Sequence, residues 1–382
     1  MLSTDQNIFK AGSGVQERMI EYGNLVEELR IVVFTRRKLQ IPKTKLQTNP
    51  KIQISKNVWI YPTNTQFKPF YFFDAYKIAK SIIAKPHTLT PIPWVVSAQD
   101  PFETGFMGYL LQRKFKLPLQ IQIHTDFLSP YFWQESLKNK IRVLLGKWLV
   151  KRADCLRVVS ERIKKSLMAI GYAPNPISVL PIFVDVEKIK NTLIKTDLHK
   201  KYPGYDFIIL MASRLTKEKN IGMAIEAVAE IKRQATSDKR QVLLLIVGDG
   251  PETESYKLLV KSYKLENIVI FEPVVDSQTL FSYYKTADLF LNTSNYEGYG
   301  RTLVEAVAAG ATIISSDVGI AGEILEPENI FKVGDKKDLA EKLKAALNGK
   351  IRPAKNLPSQ TKEAYLKLYK EYLERVLDLS HS

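Results

Sequence analysis

The chain alternates, almost throughout, between short continuous apolar runs and longer stretches whose apolar positions recur every three or four residues. The short runs "RIVVF" (30–34), "NVWIY" (57–61), "PWVVSA" (93–98), "PLQIQIH" (118–124), "CLRVVS" (155–160) and "ISVLP" (177–181) predict strands. Helical periodicity marks the segments between them, such as "VQERMIEYGNLVEEL", "YFFDAYKIAKSIIA" and "NKIRVLLGKWLVKRA". The second half repeats the alternation with "DFIILMAS" (206–213), "VLLLIVG" (242–248), "NIVIFE" (267–272), "ADLFLN" (287–292) and "ATIISS" (311–316). Near-continuous apolar strands alternating with amphipathic helices are what parallel sheets covered on both faces require. The predicted fold class is therefore α/β, with two Rossmann-like, doubly wound domains facing each other across a cleft. The polar, lysine-rich "VDVEKIKNTLIKTDLHKKYPGY" joins the halves, so residues 1–185 read as one domain and 186–359 as another. A last helix, 360–382, can pack on either and is assigned to the first. At the start, only Met1 and Leu2 precede "STD", against about five apolar residues in an ordinary buried strand. Either the first strand is very short or the natural chain begins upstream.

Composition narrows this picture. At 382 residues the chain exceeds what one core ordinarily supports, in keeping with two domains. Its single cysteine, Cys155, cannot form an internal disulfide and reads as a small buried hydrophobe in a reducing compartment. No apolar run is long enough to span a membrane, and "MLSTDQNIFKAG" lacks the regions of a signal peptide, so a cytoplasmic protein is expected. The net charge of +16 is unevenly placed: residues 1–185 hold 27 Lys and Arg against 13 Asp and Glu, leaving 29 against 27 for the rest. Such asymmetry predicts a first-half surface that meets something anionic, either nucleic acid or phospholipid.

Ligands of doubly wound folds sit at the carboxyl ends of strands, and the polar clusters of this chain fall there. "SRLTKEKN" puts Arg214 and Lys219 after one strand, two cations suited to a diphosphate. "VGDGPE" makes a glycine turn at Gly248 after the next. "NTSNYEGYGRTLVE" holds Glu297 in a glycine turn, Gly298–Tyr299–Gly300, and Glu305 on the helix that follows. The turn's amides open a helix N-terminus, a ready anion site, and two accepting carboxylates suit vicinal hydroxyls of a nucleotide-sugar.

Together, "SRLTKEKN", "VGDG" and "EGYGRTLVEAVAAG" resemble the retaining glycosyltransferases of family 4, which have the GT-B fold. The resemblance runs through nearly the whole chain and is most specific in its second half. It implies that Glu297, first glutamate of an E-x7-E motif, contacts the transferred sugar and that Glu305 contacts the ribose. It likewise assigns Arg214 and Lys219 to the diphosphate, and His124, at the end of "QIQIHTDF", to the donor sugar. Gly14 belongs to a glycine loop, "KAGSGVQERM", that the resemblance places over the donor phosphates and acceptor; Val274, Arg301 and Thr302 complete the donor-binding set. The expected donor is a UDP- or GDP-type sugar, with no cofactor. Where the family often carries proline after the helix-ending glycine, this chain reads "GATII".

No D-x-D triplet occurs, so no metal site is expected. "SLKNKIRVLLGKWLVKRAD" can be drawn as a basic amphipathic helix, with Lys138, Arg142, Lys147 and Lys151 around Trp148, and "TRRKLQIPKTKLQ" adds positive charge. These features predict a peripheral contact with the inner face of an anionic membrane and a glycan or lipid-linked acceptor. Two competing readings are a nucleotide-sugar epimerase on the same fold and a non-catalytic nucleic-acid-binding protein. The charge would suit the latter, but no nucleic-acid motif is present and none is expected as a partner. His87, His199 and His381 receive no role.

Overall fold

The computed structural model describes residues 1–35, 51–63, 65, 68–84, 93–172, 177–234, 240–354, 357 and 360–378. His87, His381 and the basic tract from residue 36 onward lie outside them. The chain divides into two compact units, Met1–Leu128 with Trp133–Pro181 and Lys362–Ser382, and Ser129–Phe132 with Ile182–Thr361.

Unit one holds β1 (Leu2–Ser3), β2 (Leu29–Val33), β3 (Ile52–Ser55), β4 (Val58–Pro62), β5 (Val96–Ala98), β6 (Leu119–Ile123), β7 (Cys155–Val158) and β8 (Ile177–Val179). They form one sheet in the order β3-β4-β2-β1-β5-β6-β7-β8. Every pairing is parallel except that of the edge strand β3 with β4. β3 escaped the sequence reading because "IQIS" is only partly buried at an edge, without the continuous apolar run of an interior strand. β1 is two residues long yet central: Leu2 pairs with Val32 on one side and Ala98 on the other.

The interior of this unit is not wholly apolar. Residues two apart on a strand share a face, so Gln120, Gln122 and His124 form a polar column along β6. The C-terminal helix Lys362–Asp378 covers the polar groups beside it. Gln122 Nε2 donates to Ser97 Oγ (2.9 Å), and Arg157 Nη1 donates to Gln122 Oε1 (2.9 Å). Arg157 Nη2 donates to Tyr365 Oη (3.0 Å), its guanidinium lies 4.8 Å from the Tyr369 ring centre, and Tyr369 stacks on Tyr22 at 4.1 Å. A buried charge needs partners for its donors, and Arg157 meets this at both Nη atoms, while its Nε has no partner among the described residues. Those partners fix the last helix against β5–β7.

Unit two comprises β9 (Phe207–Ala212), β10 (Val242–Val247), β11 (Val269–Glu272), β12 (Leu289–Asn292), β13 (Ile313–Ser316) and β14 (Ile330–Phe331), all parallel, in the order β11-β10-β9-β12-β13-β14. β9 and β10, six residues each, are the longest strands among the described residues, and buried clusters pack on both faces of the sheet, one around Ile225 and Leu244 and the other around Leu245 and Phe290. From β9 the chain first builds outward through β10 to β11, then returns to β12 on the other side. The winding direction thus reverses between β9 and β12, and such a switch point opens a crevice at the strand ends.

Candidate functional site

The two loops at that switch point are tied together by their own side chains. Lys219 ends the 3-10 turn Lys217–Lys219 after β9, and Glu297 sits in the loop after β12. Lys219 Nζ donates to Glu297 Oε1 at 2.5 Å, and Ser294 Oγ donates to the same oxygen at 2.9 Å. Thr293 Oγ1 reaches the carbonyls of Lys219 (2.9 Å) and Asn220 (3.0 Å), and Asn295 N donates to Glu218 O at 2.7 Å. Arg214, by contrast, is 78% exposed, its guanidinium 3.4 Å from Glu218. Both cations of the predicted pair thus meet a carboxylate, Lys219 in a mostly buried pair and Arg214 from solvent.

Gly300 begins the helix Arg301–Ala308 with φ +92°, and no side chain caps that end. Its amides therefore present the partial positive charge of a helix start. Behind the turn stands Gly319, which the sequence reading missed although it too is a glycine just past a strand. Its φ is +54°, and a Cβ there would lie 2.3 Å from Tyr299 O and 3.2 Å from Glu297 Cβ. Gly248 meets a similar demand from packing: a Cβ would lie 1.9 Å from Ser213 O. Glu305 is 6% exposed and accepts from Arg301 Nε at 2.7 Å. Burial pushes its carboxyl above the usual range, against the opposing pull of Arg301 and Tyr284. Tyr299 is half-buried, its hydroxyl pushed up to about 12 by burial and then by Glu323; Thr302 is half-buried, and Val274 is exposed just after β11.

In unit one, His124 follows β6 and is half-buried, its Nε2 3.1 Å from Gln122 Oε1. Arg157 can only donate, so the oxygen it bonds is an acceptor and the histidine proton sits on Nε2. Burial, then the charges of Arg157 and Arg18, lowers the imidazole pKa to about 3. His124 is therefore neutral at ordinary pH, with an accepting lone pair on Nδ1. Gln122 and Arg157 had no place among the sequence candidates. Polar residues inside an apolar run were the available signal, but Tyr365, more than two hundred residues away, was needed to explain them. Gly14 opens the helix Gly14–Gly23, capped by Ser13 Oγ, with open space where a Cβ would point. His199 lies outside this set, 3.0 Å from Asp288.

Two adjoining family profiles match this chain: Glycosyltransferase Family 4 over residues 27–188 and Glycosyl transferases group 1 over 195–364. The chain belongs to glycosyltransferase family 4. Its relatives include Protein CapJ of Staphylococcus aureus, 24% identical over 302 residues, 76% of this chain and 74% of the relative. Another is alpha-monoglucosyldiacylglycerol synthase of Streptococcus pneumoniae, 27% identical over 65% of this chain and 57% of that protein. Among solved structures, sucrose-phosphate synthase from Thermosynechococcus elongatus superposes with a TM-score of 0.72 at 20% identity, covering 98% of this chain and 91% of its own. Anabaena Alr3699/HepE in complex with UDP-glucose gives 0.65 at 17%, covering 100% and 96%. These likenesses identify the fold as GT-B.

The glycosyltransferase also carries an apolar face that its own core does not use. Helix Leu137–Val150 packs through Val143, Gly146, Leu149 and Val150, with the Phe127 ring against Gly146. Leu137 (77%), Ile141 (67%), Leu144 (60%) and the partly exposed Trp148 form a second stripe, facing solvent. Ring contacts run from Trp148 to Phe106, Phe72 and the exposed Phe73. Lys138, Lys147 and Lys151 are exposed, and Arg152 stacks 3.8 Å from the Trp148 ring centre. Arg142 behaves differently, donating to Glu103 Oε1 at 2.7 Å. No helix among the described residues is long and apolar enough to cross a membrane.

Proposed function

We propose that this glycosyltransferase moves a sugar, with retention at the anomeric carbon, from a nucleotide-diphosphate-sugar to a hydroxyl of a glycan or lipid-linked acceptor. The observation carrying this reading is the Lys219–Glu297 pair at the switch point, flanked by Arg214 and the uncapped helix start at Gly300. A diphosphate supplies the anion that draws Lys219 away, and Glu297 is left to accept from sugar hydroxyls. Lys219, Arg214 and the helix amides then stabilise the departing diphosphate without a metal. Glu305 accepts from the ribose diol and Val274 borders the base. On unit one, Nδ1 of His124 offers a neutral acceptor to a sugar hydroxyl. UDP is the favoured nucleotide because solved neighbours were captured with UDP and UDP-glucose. In domain terms, 186–359 is the donor side and 1–185 the acceptor side.

The acceptor side is proposed to work as a peripheral protein on the cytoplasmic face of an anionic membrane. Support comes from the exposed stripe of Leu137, Ile141, Leu144 and Trp148 amid lysines, from the basic bias of residues 1–185, and from a lipid-glycosylating relative. The experiment is a binding panel of UDP-, GDP- and ADP-sugars against wild type, Lys219→Met and Glu297→Gln, followed by transfer assays with membrane lipid acceptors. One nucleotide should bind. Transfer should fall at least about a hundredfold in each variant, the usual effect of deleting one such electrostatic group. Failure of every nucleotide to bind would sink the reading, and epimerised donor without acceptor use would replace it.

A further inference from the structure

A cavity of about 350 Å³ opens in unit one, and none of the residues assigned to the donor lines it. Thr4, Phe34 and Asp100, which follow β1, β2 and β5, line it, so it lies at the carboxyl ends of three neighbouring strands. The remaining wall includes Tyr71, Phe102, Glu103, Lys138 and Arg142.

Its chemistry is specific. Asp100 Oδ1 accepts from the amides of Phe102 (2.8 Å) and Thr104 (3.2 Å), while Oδ2 has no partner among the described residues. Glu103 is fixed by Arg142; burial alone would raise its carboxyl, and the Arg142 bond outweighs that. Arg142 lies 5.2 Å from the Phe102 ring centre and keeps a buried Nε without a partner among the described residues. Two acids and two bases offset each other formally in the lining, although burial raises the Asp100 carboxyl, so no concentrated positive charge is offered to a phosphate. Aromatic faces beside fixed acceptors and donors suit the apolar faces and hydroxyls of a sugar or similar polyol. Small-molecule pockets span roughly 300–1,000 Å³, so this one holds a single ring and not a chain of them.

The anchor of such a ligand is implied by the same helix. Lys138 and Arg142 alternate along it with Leu137 and Ile141, the exposed start of the apolar stripe. We propose that this cavity is the acceptor subsite and takes a neutral, monosaccharide-sized polyol head group carried on an apolar tail. The inference rests on the transferase reading and deepens it by naming the acceptor's chemistry and the residues that read it.

The test uses the full chain and a defined probe set: octyl glucoside, galactoside, mannoside and N-acetylglucosaminide, 1-O-octylglycerol, octyl phosphate and the free sugars. Saturation-transfer NMR and titration measure binding to wild type, Asp100→Asn, Lys138→Gln and Ile141→Ser. Asp100→Asn keeps the Oδ1 cap and alters only the unpaired oxygen, and Lys138 is exposed, so both variants should fold. At least one neutral octyl probe should bind wild type, about tenfold more weakly to Asp100→Asn and several-fold more weakly to Lys138→Gln. Ile141→Ser should narrow the advantage of the octyl probe over its free sugar. UDP-glucose affinity should be the same in all four proteins. No neutral probe binding, equal binding by the cavity variants, or preference for octyl phosphate would each overturn the proposal. Loss of UDP-glucose binding by wild type would instead count against the transferase reading, whatever the octyl probes do.

Discussion

At the residue scale the proposed donor side is a set of charges that offset one another. Lys219 and Glu297 neutralise each other across two loops, so neither is an isolated buried charge before a ligand arrives. Glu305 is less well compensated, and burial raises its carboxyl. A carboxyl raised in the folded state stabilises fully below its unfolded value, near 4.5, and loses that contribution as pH rises through the folded value. Glu305→Gln does not titrate. Its melting temperature relative to wild type should therefore be most favourable at pH 7 and decline toward pH 4. A gap independent of pH would show that the carboxylate is as well solvated in the fold as outside it.

At the element scale, the turn carrying Glu297 is also held by the backbone. Ile320 N donates to Tyr299 O at 3.0 Å, and Gly319 allows that approach. Gly319→Ala puts a methyl against a carbonyl at a left-handed φ, where local strain costs on the order of 1–3 kcal/mol. We expect a lower melting temperature and weaker nucleotide binding together, checked by calorimetry. A stable variant that binds normally would show that the loop adjusts freely. The helix Leu137–Val150 illustrates how an element can mislead. Drawn from sequence, its apolar residues look like one face, yet Leu149 is core and Ile141 and Leu144 are surface. Only the packing of Gly146 on Phe127 reveals which face turned inward.

At the scale of the whole molecule, charge and apolar exposure coincide. The excess of positive charge lies in residues 1–185, which also contain the exposed stripe. Vesicles containing phosphatidylglycerol should bind the protein more tightly than neutral vesicles, and salt should weaken that preference as the Debye length shrinks from ~10 Å at 0.1 M to ~3 Å at 1 M. Ile141→Ser with Leu144→Ser should reduce vesicle binding without lowering the melting temperature, because neither side chain contributes to the core. Sedimentation with vesicles and a thermal melt decide it. A lower melting temperature would mean that the stripe supports the fold.

Much of this was legible in the chain itself. Alternating apolar runs and helical periods carry the two doubly wound sheets because hydrophobic periodicity is local and strong. β9, β10 and the helix Ile221–Gln234 show this most clearly. The order "SRLTKEKN", "VGDG", "EGYGRTLVE" carries the family because its glycines and charges must stand at fixed strand ends. Tertiary structure alone decided the rest. The partners of Arg157, the tautomer of His124 that Arg157 sets through Gln122, and the outward stripe of Leu137–Val150 depend on residues far apart in sequence. Side-chain hydrogen bonds and burial are set by distance in space, and no local pattern encodes that distance.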